Sequence, residues 1–322
     1  MSDYLPPSST DGAAPTDANA PTRCGFVAVL GAPNAGKSTL TNALVGTKVS
    51  IVSPKVQTTR TRVRGIAMKG TSQVVFIDTP GIFRPKKRLE RAMVAAAWGG
   101  LADADVVMLV IDAERVSGKR GLDEDSRDII DRLKEGNTRN VVLVLNKVDL
   151  VSPPLLLELA SKLHAEGIFG EVFMVSALKE KGTADILKHL AASVPLGPYM
   201  FPEDDVSDLP VRLLAAEITR EKVFLQLYQE LPYAITVETE KWTDRKDGSV
   251  RLDQTIYVAR ESQKSIVLGK GGSQIKKIGA AAREELEELL EQKVHLFLFV
   301  KVREEWSEDR ERYREWGLDF DA

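Results

Sequence analysis

From Gly25 onward the apolar residues fall in short, nearly unbroken runs: Phe26–Leu30, Val74–Ile77, Val106–Ile111, Val141–Leu145 and Val172–Val175. Stretches of helical character separate them. A strand covered on both faces reads as such a run, so the pattern predicts an α/β domain over 23–197, a mainly parallel sheet with helices on both sides. The alternation stops near Val194. Pro195, Pro198, Pro202 and Pro210 then punctuate an acidic stretch with Glu203, Asp204 and Asp205, which predicts a linker over 198–210. Beyond it the order changes to a helix over Arg212–Gln229, a strand near Ala234–Thr239, an Asp247-Gly248 turn and a strand near Val250–Val258. A helix ending at Gly269, a helix Ser273–Leu290 and a strand Val294–Val302 follow. The turn between two strands predicts a hairpin, and the whole of 211–322 a smaller α+β domain. Residues 1–22 hold almost no large apolar groups and are expected to form a disordered tail.

Composition narrows the class. The chain has 322 residues, 44 Lys+Arg against 47 Asp+Glu, and a single cysteine, Cys24. No disulfide can close within it, which points to a reducing, cytosolic compartment. The apolar runs fall well short of the ~18 residues of a membrane-spanning helix, and the amino terminus lacks a signal peptide's basic start and apolar run. Any membrane contact is expected to be peripheral. The near-neutral charge argues against wholesale wrapping of nucleic acid and leaves room for one local basic surface. His164, His189 and His295 are scattered and make no metal-ligand set with the lone cysteine.

The chemistry begins at Gly31, Ala32, Pro33, Asn34, Ala35, Gly36, Lys37 and Ser38, which spell G-x-x-x-x-G-K-S between a buried strand and a helix that Thr39 continues. Glycines let backbone N–H groups close around phosphates, Lys37 reaches the β- and γ-oxygens, and the Ser38 hydroxyl suits Mg²⁺. The helix amino terminus adds partial positive charge. Alone, this loop fits ATP or GTP. Asp78, Thr79, Pro80 and Gly81 follow the strand Val74–Ile77, placing a carboxylate where open α/β sheets bind ligands. There Asp78 can hold Mg²⁺ through water, and the Gly81 N–H can reach a terminal phosphate. Asn146, Lys147 and Asp149, in Asn-Lys-Val-Asp, end the strand Val141–Leu145. The Asp149 carboxylate can accept from guanine N1–H and N2–H₂ together, which adenine cannot match. Ser176 and Ala177 follow the next strand, and a backbone N–H there would meet guanine O6.

These residues, together with Ser50-Ile-Val-Ser-Pro-Lys-Val-Gln-Thr-Thr-Arg60, resemble the Era group of translation-factor-related GTPases. The resemblance implies that this last segment is switch I and that a threonine in it contacts Mg²⁺ and the γ-phosphate. Thr59 is the first choice and Thr58 the alternative. The magnesium set is then Ser38, Thr59 and Asp78. Many GTPases orient the attacking water with Gln directly after the Asp-x-x-Gly motif; here Ile82 stands there, as in the Era group, so slow intrinsic hydrolysis of GTP to GDP and phosphate is expected. Related members with Asn in the P-loop use K⁺ in place of an arginine finger, and Asn34 reads either as that asparagine or as a residue that merely satisfies the turn. The implied catalytic residues are Lys37, Thr59, Gly81 and Asn34. Arg84-Pro-Lys-Lys-Arg88, in the corresponding switch II, reads either as a contact for RNA or a ribosomal partner or as a solvated loop.

In the second domain, Gly269, Lys270, Gly271 and Gly272 form a G-x-x-G loop between two helices, the loop with which KH modules clamp about four nucleotides of single-stranded RNA. The element order around it resembles the type II KH fold. Lys276 and Lys277 add charge, while Ile266, Val267 and Ile275 are either walls of a base groove or core. Glutamates from Glu284 to Glu291 make the far part of the helix acidic, so RNA is expected near its start. Trp306, Tyr313 and Trp316 near the carboxyl terminus suit docking on the domain better than base stacking.

The Era resemblance covers about Gly25 to Val302, and the tail before it exceeds the usual pattern. It implies binding to the 3′ end of 16S ribosomal RNA, a part in 30S small ribosomal subunit assembly, and a cytoplasmic location with peripheral attachment to the inner membrane. DNA is not implied as a partner. Two other readings share the GTPase module: a tRNA-modifying enzyme, whose known members carry a separate amino-terminal catalytic domain, and a membrane-associated scaffold or signalling GTPase whose KH-like domain binds protein.

Overall fold

The computed structural model describes residues 21–55, 58–117, 121–227 and 235–322; the tail expected over 1–22 lies almost wholly outside them. The chain forms two compact units. One holds the described chain up to Ser50, Thr59–Asp208 and Tyr313–Ala322; the other holds Ile51–Thr58 and Leu209–Arg312.

The first unit runs β1 (Arg23–Leu30), α1 (Lys37–Val45), β2 (Val63–Lys69), β3 (Ser72–Asp78), α2 (Arg88–Gly99), β4 (Val106–Asp112), α3 (Ala113–Val116), α4 (Glu124–Glu135), β5 (Val141–Asn146), α5 (Pro153–His164), β6 (Phe169–Met174) and α6 (Thr183–Ser193). Its six-stranded sheet has the order β2-β3-β1-β4-β5-β6. All neighbours pair parallel except β2, which runs antiparallel along β3. Alternate residues of the central strands enter two apolar clusters. Val27, Phe76, Met108 and Val144 pack with Leu40 and Leu44 of α1 and Ile186 and Leu190 of α6. Leu109, Ile111, Leu143 and Leu145 pack with Ile129 and Leu133 of α4 and Leu156, Leu159 and Leu163 of α5. Both faces are thus covered, which is why the strands are apolar throughout.

Register decides where the chemistry falls. Val29 lies opposite Asp78, and Asp112 opposite Asn146, so Asp78 and Asn146 emerge at the carboxyl ends of parallel strands. The proline-punctuated segment is held down on the edge of this unit. The fully buried Gln73 accepts from the N–H groups of Met200 and Phe201 at 2.9 and 3.1 Å and donates to the Phe201 carbonyl at 2.8 Å. Further on, Ile66 of β2 donates to the Val206 carbonyl at 2.9 Å.

In the second unit α7 (Val211–Gln226) precedes β7 (Ile235–Asp244), β8 (Val250–Val258), α8 (Glu261–Leu268), α9 (Ser273–Leu290) and β9 (Val294–Val302). β7 and β8 form the antiparallel hairpin, turned at Gly248, and β8 pairs parallel with β9 after the α8–α9 crossover. Ala216 and Val223 of α7, Val267 of α8 and Ile278 of α9 close over Ile235, Ile256 and Val258 of the sheet. The chain ends through α10 (Arg310–Glu315). Trp306 and Tyr313 are buried, and the Tyr313 ring meets Phe320 edge-on at 4.9 Å, so these aromatics serve packing.

Candidate nucleotide and RNA sites

The P-loop lies between β1 and α1. Gly36, the residue before α1, has φ 92°, and a Cβ there would sit 2.2 Å from Nδ2 of Asn146, so only glycine fits. Lys37 is buried; its ammonium donates to the carbonyls of Gly31 and Ala32 at 3.1 and 3.0 Å. Burial pulls its pKa down to about 8, and the charge of Asp78 opposes that shift. Asn34, at the tip, holds φ 63°, a left-handed conformation that asparagine tolerates. Ile82 is buried and its N–H donates to the Gly31 carbonyl at 3.1 Å, which ties the segment after Gly81 to the P-loop. Thr79 is fixed by donation to the Val29 carbonyl at 2.7 Å.

Three oxygen side chains meet at the start of α1. The Ser38 hydroxyl donates to Oδ2 of Asp78 at 2.7 Å and lies 2.8 Å from the Thr59 hydroxyl. Asp78 is fully buried, its Oδ1 lacks a hydrogen-bond partner, and burial raises its pKa. A buried carboxylate oxygen beside two hydroxyls is an all-oxygen donor set that suits a hard cation such as Mg²⁺. Thr58 faces elsewhere: its hydroxyl donates to the Lys55 carbonyl at 2.7 Å and lies 2.6 Å from that of Ser53. The structure therefore brings Thr59, rather than Thr58, to Ser38 and Asp78.

The base end is built from two short turns after β5 and β6. Asn146, buried, donates to the Ala35 carbonyl at 2.9 Å and accepts from the Ala177 N–H at 3.0 Å, joining P-loop, Asn-Lys-x-Asp turn and Ser176-Ala177 loop. Lys147 pairs with Asp112 at 2.6 Å. Asp149 pairs with Lys179 at 2.9 Å, and that ammonium holds its carboxyl below the usual range.

In the second unit, Gly269 closes α8 with φ 71°, and a Cβ there would meet Cβ of Gln274 at 2.6 Å. Lys270, Gly271, Lys276 and Lys277 are exposed, Gly272 is half-buried, and α9 begins directly after the loop. Of the three aliphatics, Val267 belongs to the core, Ile266 is 53% exposed and Ile275 is half-buried. The loop thus offers glycine backbone and two basic turns beside an exposed isoleucine.

Comparison with known proteins gives a consistent result. Residues 26–147 match the family model of 50S ribosome-binding GTPases, and residues 230–307 match the KH domain model. GTPase Era of Brucella suis biovar 1 (strain 1330) is 61% identical over 299 residues, covering 93% of this chain and 94% of that protein. GTPase Era of Rhizobium meliloti (strain 1021) is 59% identical over 320 residues, 99% of both chains. The chain belongs to the Era GTPase family. A crystal structure of Era with MgGDPNP and nucleotides 1506–1542 of 16S ribosomal RNA superposes with a TM-score of 0.86 at 38% identity, covering 92% of this chain and 99% of that one. An Aquifex aeolicus Era variant bound to GDP and tetrafluoroaluminate matches at the same TM-score, identity and coverage.

In this Era-family chain several supporting residues escape a motif reading. Asn42 of α1 accepts from the N–H groups of Val49 and Ser50 at 3.0 and 2.9 Å and donates to the Ser50 carbonyl at 2.8 Å, anchoring the chain where it enters switch I. Asp112 and Lys179 hold the two charged residues of the Asn-Lys-x-Asp turn. All three lie outside the motifs, although Asp112 ends a strand, as Asp78 does. Arg84 of the basic stretch pairs with Asp128 at 3.0 Å and Glu124 at 3.4 Å on the surface of α4. Among the described residues, no group of histidines, cysteines and carboxylates has metal-ligand geometry, and no helix is long and apolar enough to cross a membrane.

Proposed function

We propose that this protein is a GTP-hydrolysing switch that binds the 3′ end of 16S ribosomal RNA and acts in assembly of the 30S subunit. The observation that carries the reading is the pairing, in one chain, of the Ser38–Thr59–Asp78 oxygen cluster with a G-x-x-G loop at Gly269–Gly272. The family model for the GTPase part is named for 50S binding. The relative that shares both domains over 92% of this chain carries a 16S fragment, which favours the small subunit.

In the nucleotide site, P-loop N–H groups and the α1 amino terminus receive the phosphates, and Lys37 leaves the Gly31 and Ala32 carbonyls for the β- and γ-oxygens. Ser38, Thr59 and Asp78 would hold magnesium, which would supply positive charge to the phosphates. The Gly81 N–H meets the γ-phosphate, and Asp149 selects guanine. Ile82 cannot hydrogen-bond a water, so the chain's own groups leave the nucleophile poorly oriented and turnover slow. Asn34, at the P-loop tip, is placed to help hold a potassium ion there.

GTP ties the segments around Thr59 and Gly81 to the γ-phosphate, and hydrolysis releases them; this two-state ordering is what can bias RNA binding. At the second site Gly269, Gly271 and Gly272 admit the RNA backbone, Lys270 and Lys276 supply charge, and Ile266 and Ile275 face the bases. The location that fits is the cytoplasm, with peripheral attachment to the inner membrane.

The test pairs nucleotide and RNA. Purified protein should bind and slowly hydrolyse GTP, reject ATP, and bind a single-stranded oligonucleotide of the 16S 3′ end with strong salt dependence. Changing Lys270 and Gly271 to Asp should abolish RNA binding while leaving hydrolysis intact. Unchanged RNA affinity in that variant would favour the scaffold reading, in which the KH-like domain binds protein.

A further inference from the structure

Asp149 does not stand alone at the base end of the nucleotide site. It sits on a short turn, Val148–Leu150, anchored by donation of the Val148 N–H to the Val175 carbonyl at 3.1 Å and of the Leu150 N–H to the Lys147 carbonyl at 3.0 Å. Lys179 sits on a second turn, Ala177–Lys179, fixed by the Ala177 N–H to Asn146 Oδ1 at 3.0 Å and by the Lys179 N–H to the Ser176 carbonyl at 3.1 Å. Ser176 and Lys181 exchange both backbone hydrogen bonds at 3.1 Å, closing the loop behind it. The backbones of both residues are therefore held by the chain's own hydrogen bonds. Between them, the Lys179 ammonium lies 2.9 Å from Oδ2 of Asp149, whose side chain is only 18% exposed.

We infer that Lys179 is a positioning residue for guanine: it fixes the Asp149 carboxylate so that both oxygens present a lone pair to the base at once. The geometry of a carboxylate permits this. Each oxygen has two lone pairs, guanine N1–H and N2–H₂ use one on each oxygen, and Lys179 occupies a further one on Oδ2. Left unheld, the carboxylate rotates about its last side-chain torsion, which is broad and soft, and bidentate acceptance is lost for part of the time. The inference rests on Asp149 as the guanine acceptor.

Inosine diphosphate separates positioning from general support, because hypoxanthine keeps N1–H and lacks the 2-amino group. Affinities of the full chain for GDP and IDP are measured by calorimetry for the native protein, Lys179→Met and Lys179→Arg. The methionine variant should lose about three- to fivefold in GDP affinity, the size expected of a half-exposed ion pair, with IDP affinity nearly unchanged, so that the GDP-to-IDP ratio falls. The arginine variant should retain the native ratio. Equal losses for both nucleotides, an unchanged GDP affinity, or a gain in GDP affinity from removing a competitor for Asp149 would each overturn the inference. A native protein with no preference for GDP over IDP would instead overturn the role of Asp149 itself, and this inference with it.

Discussion

Asn146 and Ala35, 111 residues apart in the chain, are joined by a buried hydrogen bond of 2.9 Å from the asparagine amide to the alanine carbonyl. The other end of the same side chain accepts from Ala177 at 3.0 Å. One residue at the end of β5 thereby sets the distance between the phosphate loop and the base loop. Replacing it with alanine leaves a buried carbonyl and a buried N–H unpaired, at about 1–3 kcal/mol each. Asn146→Ala is expected to lower stability by about 2–6 kcal/mol in denaturant titration and to weaken GDP binding by at least tenfold. A variant with native stability and affinity would show that the three loops hold their spacing without it.

Asp78 carries a buried oxygen without a hydrogen-bond partner, a cost that magnesium would relieve under the proposed function. Without metal or nucleotide, burial raises its pKa above the unfolded value, so the folded state holds the proton more tightly. The stability gained from that proton is fully present below the unfolded pKa and is lost as pH rises through the raised one. Asp78→Asn removes the charge and keeps the size. The nucleotide-free variant should melt at or above the native temperature at neutral pH and lose this pH dependence. Magnesium should no longer strengthen its GTP binding. A marked drop in melting temperature would mean that the carboxylate stabilises the empty fold.

Strands β4 and β5 are legible because both their faces are covered, which leaves runs such as Val106–Ile111 without a polar break. β2 is not: Arg64 is exposed and Gly65 has no side chain, so Val63–Lys69 shows neither a run nor an alternation. It is a strand because β3 pairs along it and the Val206 carbonyl takes the Ile66 N–H. The G-x-x-x-x-G-K-S, Asp-x-x-Gly and Asn-Lys-x-Asp strings are local and lie at strand ends, so the sequence alone shows their positions. It does not show the choice between Thr58 and Thr59, since adjacent residues differ only in which way the backbone turns them. Lys179 and Asp112 escaped for a different reason: each acts by touching a motif residue from outside the motif, and such contacts exist only after folding.

Lys37 makes nucleotide binding a proton-linked reaction. Its pKa in the nucleotide-free protein is lowered from 10.5 to about 8, because burial disfavours the ammonium. Phosphate oxygens favour the ammonium and push the value back up, so binding takes up a proton at pH values above about 8. The uptake should be substantial at pH 8.5 and should shrink toward pH 7. Calorimetry in buffers of different ionisation enthalpy measures it directly. GDP affinity should fall as pH rises from about 8 toward 10, and Lys37→Arg should flatten the fall. Zero uptake at pH 8.5 would mean that the buried lysine is already fully charged before the phosphates arrive.

Under the proposed function, a potassium ion held at Asn34 would offer a way around Ile82. With the aliphatic Ile82 directly after Gly81, a further lever on the transition state is positive charge beside the bridging oxygens. Asn34 lies at the exposed tip of the P-loop in a left-handed conformation, φ 63°, and carries an amide where the other residues from Gly31 to Gly36 are glycine, alanine and proline. A monovalent cation held there would add charge that sodium, smaller and more tightly hydrated, supplies less well. Hydrolysis in potassium buffer should exceed that in sodium at equal ionic strength by roughly tenfold, equivalent to about 1.4 kcal/mol of transition-state stabilisation. Asn34→Gly keeps the backbone conformation and removes only the amide, so it should abolish the difference while sparing GDP affinity. Equal rates in the two salts would leave Asn34 as a turn residue and require another group to supply the charge.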